Sequence, residues 1–289
     1  MASQALYRKW RSQTFDELVG QEHVVRTLRN AIRAGRVGHA YLFTGPRGIG
    51  KTTVARLLAK AVNCEAPAEQ RPCDRCEPCR SIAEGHAVDV IEMDAASHTG
   101  VDDAREIIER VQFRPTSLRT KVYVIDETHM LSTAAFNALL KTLEEPPPHV
   151  LFILATTEFH KVPATIVSRC QRFVFTRHTA AEIAAHLAHV AQAENVVLEP
   201  GVAETIARFA TGAMRDALSI LDQLMAGGDG VVTLAEVRAL LGATDSGEVQ
   251  RLIGSLADDD LPAALGLINQ VADGGADLRQ FARDLVDRL

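Results

Sequence analysis

Two hydrophobic periods run along this chain, and the point where one gives way to the other divides it. Between residues 40 and 175, short apolar runs at 40–43, 88–93, 121–125, 150–155 and 172–175 read as strands buried on both faces. Helical spacing fills the gaps. Val24, Val25, Leu28, Ala31 and Ile32 predict a helix over 21–34 that Gly35 ends, and Val54, Leu57, Leu58 and Ala61 mark the buried face of another. Two more helical patterns lie at 101–111 and 132–143, while periodicity lapses over the polar, proline- and cysteine-bearing stretch 65–78. Strands alternating with helices, without hairpin turn signals, predict a three-layer α/β domain around a parallel sheet. Past Thr176 the strand signal disappears, and patterns at 180–193, 201–210, 214–225 and 234–241 predict a small helical domain. Three further helical patterns lead to Leu289, where no cap signal appears, as expected of a truncated chain. The expected domains are therefore 1–178, 179–242 and 243–289.

The first strand runs into Gly45-Pro46-Arg47-Gly48-Ile49-Gly50-Lys51-Thr52, which opens the helix after it. A triphosphate requires many donors at close range and no side-chain bulk; glycines at a helix N-terminus supply this through converging backbone N–H groups. Lys51 is expected on the β- and γ-phosphates and Thr52 on Mg²⁺. An ordinary glycine turn accounts for single glycines but not for the whole G-x-x-x-x-G-K-T spacing between strand and helix. Nucleotide binding therefore anchors the functional reading.

Asp126 and Glu127 end the strand at 121–125, where the C-terminal edge of a parallel sheet meets a ligand crevice. Downstream of a phosphate loop, Asp126 is expected in the Mg²⁺ shell and Glu127 as the acceptor of a proton from attacking water. The plainer alternative has both merely opening a solvated loop. Thr157 ends the next strand and is expected to set its hydroxyl between Glu127 and the γ-phosphate, although threonine at a strand end is commonplace. Arg169, in Ser168-Arg169-Cys170, either pairs with a carboxylate or reaches the γ-phosphate of a neighbouring subunit as an arginine finger. Arg215 stands in the first turn of a helix, against the dipole preference for anions there. It needs a partner: a phosphate, Asp216, Asp222 or another carboxylate. His129 is expected to face solvent or a neighbour rather than to take part in chemistry.

Composition adds a metal site and a compartment. Four of the five cysteines, Cys64, Cys73, Cys76 and Cys79, form a C-x8-C-x2-C-x2-C pattern suited to a tetrahedral structural Zn²⁺. The net charge of -6 is unevenly spread: 11 Lys/Arg against 3 Asp/Glu over residues 1–60, 13 against 18 over 61–189, and 7 against 16 over 190–289. The basic opening suits phosphate-rich ligands or a solvated helix face, and the acidic last third argues against a nucleic-acid surface there. With 47% hydrophobic and 24% charged residues, the chain has the balance of a soluble globular protein. Its apolar runs are too short to span a bilayer, and the N-terminus lacks the apolar segment of a signal peptide, so a cytoplasmic location without membrane contact is expected.

Taken together, these motifs resemble the bacterial replicative clamp-loader ATPases, the γ/τ family of the DNA polymerase III holoenzyme within the AAA+ class. The resemblance spans nearly the whole chain. It rests on Arg8-Lys9-Trp10-Arg11, Gly20-Gln21-Glu22-His23, the phosphate loop, the cysteine insertion, Asp126-Glu127, Lys141-Thr142-Leu143-Glu144-Glu145-Pro146-Pro147, Ser168-Arg169-Cys170 and Met214-Arg215-Asp216-Ala217. It implies a AAA+ ATPase domain, a helical lid and the start of a helical collar. It also implies ATP contacts from Arg11, Val19 and the run from Gly45 to Thr53, with Thr157 and Arg215 as sensors, Arg169 acting in trans and Arg105 facing DNA. The partners implied are δ, δ′ and further γ/τ copies in a pentameric ring, a sliding clamp that the ring opens, and primed DNA. ATP binding drives loading, and hydrolysis releases clamp and DNA. Ser12 departs from the family's usual proline, Thr128 from an aliphatic residue, and His98 and Gly100 from positions that are often basic. Two other classes compete. A DExH helicase is suggested by Asp126-Glu127-Thr128-His129, yet no second α/β domain follows. A nucleotide-dependent scaffold without hydrolysis is opposed by intact Lys51, Thr52 and Glu127.

Overall fold

Five strands, β1 (Ala40–Thr44), β2 (Val90–Asp94), β3 (Lys121–Asp126), β4 (Val150–Thr156) and β5 (Gln171–Val174), pair in parallel in the order β2-β3-β4-β1-β5. They belong to a computed structural model that describes residues 4–227, 230–242, 246–273 and 278–286. The expected uncapped end at Leu289 lies outside the described residues. Among the described residues, seven α-helices accompany the sheet: α1 (Leu6–Lys9), α2 (Glu22–Arg33), α3 (Lys51–Asn63), α4 (Glu77–Glu84), α5 (Val101–Val111), α6 (Thr133–Glu144) and α7 (Ala164–Val167).

Period-two alternation assigns each side chain to a face. Tyr41, Phe43, Val122, Val124, Leu151 and Ile153 pack with Val24, Leu28, Val54, Leu57 and Leu58 of α2 and α3. Their sequence neighbours Leu42, Tyr123, Ile125, Phe152 and Leu154 pack with Ala104, Ile107, Phe136 and Leu139 of α5 and α6. Each fully buried Val, Leu, Ile or Phe among them contributes about 1.5–3 kcal/mol. Helices cover both faces, so β1 and β4 are apolar without interruption. The expectation that every strand is buried on both faces does not hold at the edges: β2 exposes Glu92 and Asp94, and β5 exposes every residue but Phe173, because each strand lacks a neighbour on one side.

By its contacts the chain divides into two compact units, residues 1–182 with 212–216, and residues 183–211 with 217–289. The second unit holds most of α8 (Ala180–Ala193), then α9 (Val202–Phe209), the body of α10 (Met214–Gly227), α11 (Leu234–Leu241), α12 (Ser246–Ala257), α13 (Leu261–Asp273) and α14 (Leu278–Val286). The last three enclose Val249, Leu252, Ala264, Val271 and Phe281. One feature corrects the all-helical expectation past Thr176: β6 (Val197–Leu198) and β7 (Val231–Val232) pair in parallel as a small ribbon. Two residues per strand are too few to carry a period.

Two buried polar side chains fix the loops beneath the sheet. Asn63, at the end of α3, donates to the carbonyls of Ala59 and Thr120 and accepts from the N–H groups of Arg119 and Thr120, at 2.8–3.1 Å. β2 begins at Val90 rather than Val88, which is 68% exposed, and the intervening Asp89 is 1% exposed. Asp89 accepts hydrogen bonds from the N–H groups of Thr116 (2.8 Å), Ser117 (2.8 Å) and Leu118 (3.0 Å) and from the Ser117 hydroxyl (3.2 Å). Burial pushes its pKa up, but the bonds from Ser117, Thr116 and Leu118 outweigh it, and the net shift is downward. A carboxylate with a depressed folded-state pKa stabilises the fold above its unfolded pKa and loses that contribution as pH falls through the folded value. Asp89→Ala is therefore expected to lower the unfolding free energy by about 1–3 kcal/mol at neutral pH. In denaturant titrations the gap from the parent chain should narrow in acid, below about pH 4.

Candidate functional site

β1 delivers the glycine-rich loop between β4 and β5: Thr44 pairs with Thr156 and Val174, and the Gly45 N–H donates to the Thr156 carbonyl at 3.2 Å. A Cβ on Gly45 (φ 148°) would lie 2.5 Å from the Phe175 carbonyl oxygen, so only glycine passes there. Gly50 (φ 98°) turns the chain into α3, whose first turn has no side-chain cap. Its leading N–H groups are left for an anion. Pro46, Gly48 and Ile49 complete the loop, with Arg47 exposed on it and Thr53 half-buried in the first turn of α3. Lys51 is 6% exposed, and its ammonium donates to the carbonyls of Gly45 (2.8 Å) and Pro46 (2.6 Å). Burial lowers its pKa, against the opposing pull of Glu127 and Asp126.

The two carboxylates arrive from β3. The Thr52 hydroxyl donates to Asp126 Oδ2 at 2.6 Å, and Asp126 Oδ1 accepts the Glu127 N–H at 2.9 Å. Glu127 adopts a left-handed backbone (φ 46°). Its Oε2 accepts from both the hydroxyl (2.8 Å) and the N–H (3.2 Å) of Thr157. Thr128, in place of an aliphatic residue, is buried with its hydroxyl given to the carbonyls of Ile125 (2.8 Å) and Ala155 (3.0 Å). Of the two surroundings expected for His129, solvent or a neighbour, the structure shows the neighbour. Its side chain is 6% exposed, with Nδ1 2.9 Å from Thr156 Oγ1 and 3.4 Å from Glu127 Oε2, and Nε2 3.2 Å from Glu158 Oε1.

A basic rim adjoins the loop. The Arg215 N–H donates to the Gly48 carbonyl at 3.2 Å, and its guanidinium lies 4.7 Å from the centre of the Tyr7 ring. An aromatic face thus joins the partners expected for this cation. Burial lowers the pKa of Arg11, as do the charges of Arg56, Arg215 and Arg8, while Glu92 opposes them. Val19 is half-buried just before two consecutive left-handed residues, Gly20 (φ 65°) and Gln21 (φ 55°). The Gln21 amide holds that turn to the chain after β5, donating to the Thr176 carbonyl (2.7 Å) and accepting the Thr176 N–H (3.2 Å).

The remaining expected residues lie apart from this set of contacts. Arg169 donates to Glu144 Oε2 and to the Thr165 carbonyl, both at 2.8 Å. Arg105 on α5 pairs with Asp102 at 3.0 Å, and Asp103 engages both His98 and the Gly100 N–H at 3.1 Å. The sulfurs of Cys64, Cys73, Cys76 and Cys79 all lie within 4.8 Å of one another. A tetrahedron with Zn–S bonds of about 2.3 Å requires sulfurs roughly 3.8 Å apart, so small adjustments close it. Cys170 stands apart in an apolar surrounding, and burial pushes its thiol up to about 12. Tyr7, Gln21 and His129 join the site without having been assigned to it from sequence. Their signals were slight: an aromatic next to arginine, an amide after glycine, and a histidine two residues past the carboxylate pair.

Family models describe nearly the whole chain. Residues 20–179 match a model described as "DNA polymerase III, delta subunit", 182–230 one for the "DNA polymerase III clamp loader subunit, ATPase lid domain", and 232–289 one for "DNA polymerase III subunits gamma and tau domain III". The DNA polymerase III subunit gamma of Buchnera aphidicola is 39% identical over 268 residues, covering 93% of this chain and 72% of the relative. The chain belongs to the γ/τ family of DNA polymerase III clamp-loader subunits. Further γ/τ relatives are the tau subunits of Bacillus subtilis, 48% identical over 99% of this chain and 51% of its own length, and of Escherichia coli, 48% identical over 100% and 45%. The chain therefore spans about half the length of these curated relatives. Among solved structures, Thermotoga maritima RuvB, a Holliday junction branch migration motor, aligns with a TM-score of 0.61 at 20% identity, covering 93% of this chain and 86% of that one. A point variant of the same RuvB gives 0.62 at 20% identity over 96% and 91%. At that identity the likeness is one of fold, the AAA+ arrangement of a parallel α/β layer followed by helices. No described helix of this γ/τ chain is long and apolar enough to cross a membrane.

Proposed function

We propose that this chain is the ATP-driven motor subunit of a clamp loader and that a neighbouring subunit completes its hydrolytic site. One observation carries the hydrolytic reading: Thr52 on α3 and Asp126 on β3 meet at 2.6 Å, with Glu127 adjoining and held by Thr157. Thr52 and Asp126 are the hydroxyl and carboxylate that would hold Mg²⁺, which when bound neutralises charge on the β- and γ-phosphate oxygens. Lys51 exchanges the carbonyls of Gly45 and Pro46 for those phosphates, and the loop from Gly45 to Thr53 cradles them through the backbone N–H groups that follow Pro46. Glu127 takes the proton of the attacking water. Thr157, donating to Glu127 Oε2, sets its hydroxyl between that carboxylate and the γ-phosphate. Arg215, beside Gly48, senses the phosphates, and Arg11 and Val19 flank the nucleotide.

Arg169 is the finger offered to the next subunit's ATP; its pairing with Glu144 supports a side chain held in reserve on its own chain. The partners in this reading are δ, δ′ and further γ/τ copies, the sliding clamp and primed DNA, with Arg105 facing the DNA. The domains are an ATPase domain to residue 178, a lid to 242 and the beginning of a collar to 289, in a cytoplasmic protein. Cys64, Cys73, Cys76 and Cys79 hold a structural Zn²⁺.

Elemental analysis of freshly purified protein should find one zinc per chain, lost in Cys76→Ser; metal-free parent protein would remove the assignment. For hydrolysis, the full-length protein is mixed with δ, δ′, clamp and primed DNA. Glu127→Gln should retain ATP binding while turnover falls by about 10²-fold or more, and near-normal turnover would discard Glu127 as the base. Arg169→Ala should lower the stimulated rate by about 10³-fold without weakening ATP binding. A rate left unchanged would overturn the in-trans arrangement.

A further inference from the structure

A base that takes a proton from water must keep one carboxylate oxygen towards that water and the other fixed. On Glu127 the fixed oxygen is Oε2, which takes both the hydroxyl and the N–H of Thr157. Its other flank is closed by the edge of a buried imidazole, His129 Nδ1, at 3.4 Å. That ring sits in the short turn Thr128–Met130 directly after the carboxylates, so its backbone is tied to that of Glu127. The ring is also held at both nitrogens, Nδ1 being shared between Glu127 and a hydrogen bond with Thr156. Thr156 Oγ1, which accepts the Glu158 N–H at 3.0 Å, lies 2.9 Å from Nδ1, and the Glu158 carboxylate lies 3.2 Å from Nε2. Glu158 is itself held by Lys161, whose ammonium is 2.9 Å from Oε2. The groups therefore alternate as lysine, carboxylate, imidazole, carboxylate, ending on the proposed base.

We propose that His129 is a positioning residue for Glu127, clamping its Oε2 against Thr157 so that Oε1 is left to the attacking water, and that Glu158 orients His129 for this task. The inference rests on the hydrolytic reading of the site. A buried histidine with only a packing role needs neither carboxylate. Here both ring nitrogens are within reach of one, and the ring carries information about the loop after β4 to the base on β3. Thr157 belongs to the same loop, so the two contacts on Glu127 Oε2 move together.

The test uses the two amides that each reproduce one ring nitrogen. Asparagine places its amide near Nδ1 and glutamine places its amide near Nε2. In the assembled loader with clamp and primed DNA, His129→Gln should lower kcat by about 10-fold or more, the scale expected when a reacting group loses its alignment. The KM for ATP and the affinity for a fluorescent ATP analogue should stay within about twofold, because the phosphate loop is untouched. His129→Asn should recover most of the rate. Glu158→Gln, at a partly exposed position, should lower kcat about threefold with the same unchanged KM. Turnover of His129→Gln equal to that of the parent, or His129→Asn falling as far as His129→Gln, overturns the proposal. Should the buried variants fail to bind the analogue, Glu158→Gln decides alone, and an unchanged kcat refutes the relay. Glu127→Gln measured alongside separates the two readings. If it hydrolyses ATP normally, the hydrolytic reading falls and takes this one with it; if it is inert while His129→Gln is normal, only the positioning role is lost.

Discussion

The hydroxyl of Thr52 can reach Asp126 only if the chain crosses over a strand. β1, which feeds the loop, and β3, which ends in Asp126, are not neighbours; β4 lies between them. The loop therefore has to pass across the end of β4, and the bond from the Gly45 N–H to the Thr156 carbonyl marks the crossing. Much else follows from that bridge. It leaves Thr157, the residue after β4, beside Glu127, and it requires Gly45 to have no side chain where the Phe175 carbonyl passes. Strand order, more than any single residue, assembles the site at the carboxyl edge of the sheet.

The segments that frame this crossing are held by buried polar side chains rather than by apolar packing alone. Gln21 joins the start of α2 to the end of the sheet, and Asn63 joins the far end of α3 to the approach to β3. Lys60, also on α3, gives its buried ammonium to the Gln13 carbonyl at 2.8 Å and to Asp74, between Cys73 and Cys76. One helix thus carries the glycine-rich turn at one end and, at the other, tethers to both the N-terminal segment and the four-thiol cluster. An unmet donor or acceptor at any of these buried points costs about 1–3 kcal/mol, which makes each connection specific as well as stabilising.

Much of this is legible in the amino-acid sequence alone. β1, β3 and β4 announced themselves because strands covered on both faces must be apolar at successive positions, and the phosphate loop because its glycines, lysine and threonine meet one requirement together. The edges were harder. β2 starts later than its apolar run because Asp89 is diverted into capping the loop at 116–118. The ribbon of β6 and β7 was invisible, since two residues have no measurable alternation. Individual partners were least accessible. Glu144 for Arg169, Tyr7 for Arg215 and Glu158 for His129 are juxtapositions made by tertiary structure, and local spacing has no means of encoding them. Thr128 looked foreign to its position, yet two carbonyls absorb its hydroxyl and remove the conflict.

The placement of β1 has a consequence for how the chain comes into being. Its strand partners are β4 and β5, both encoded far downstream: Thr44 meets Thr156 and Val174. As the polypeptide leaves the ribosome, the glycine loop emerges early, with neither flanking strand yet made and no sheet edge to support it. Such non-local pairing is slow to form, and its exposed apolar strand invites misassociation in the interval. The loop therefore takes its shape late in synthesis. A nascent chain stalled before residue 150 would carry every glycine of the loop and still lack the surface on which it is folded.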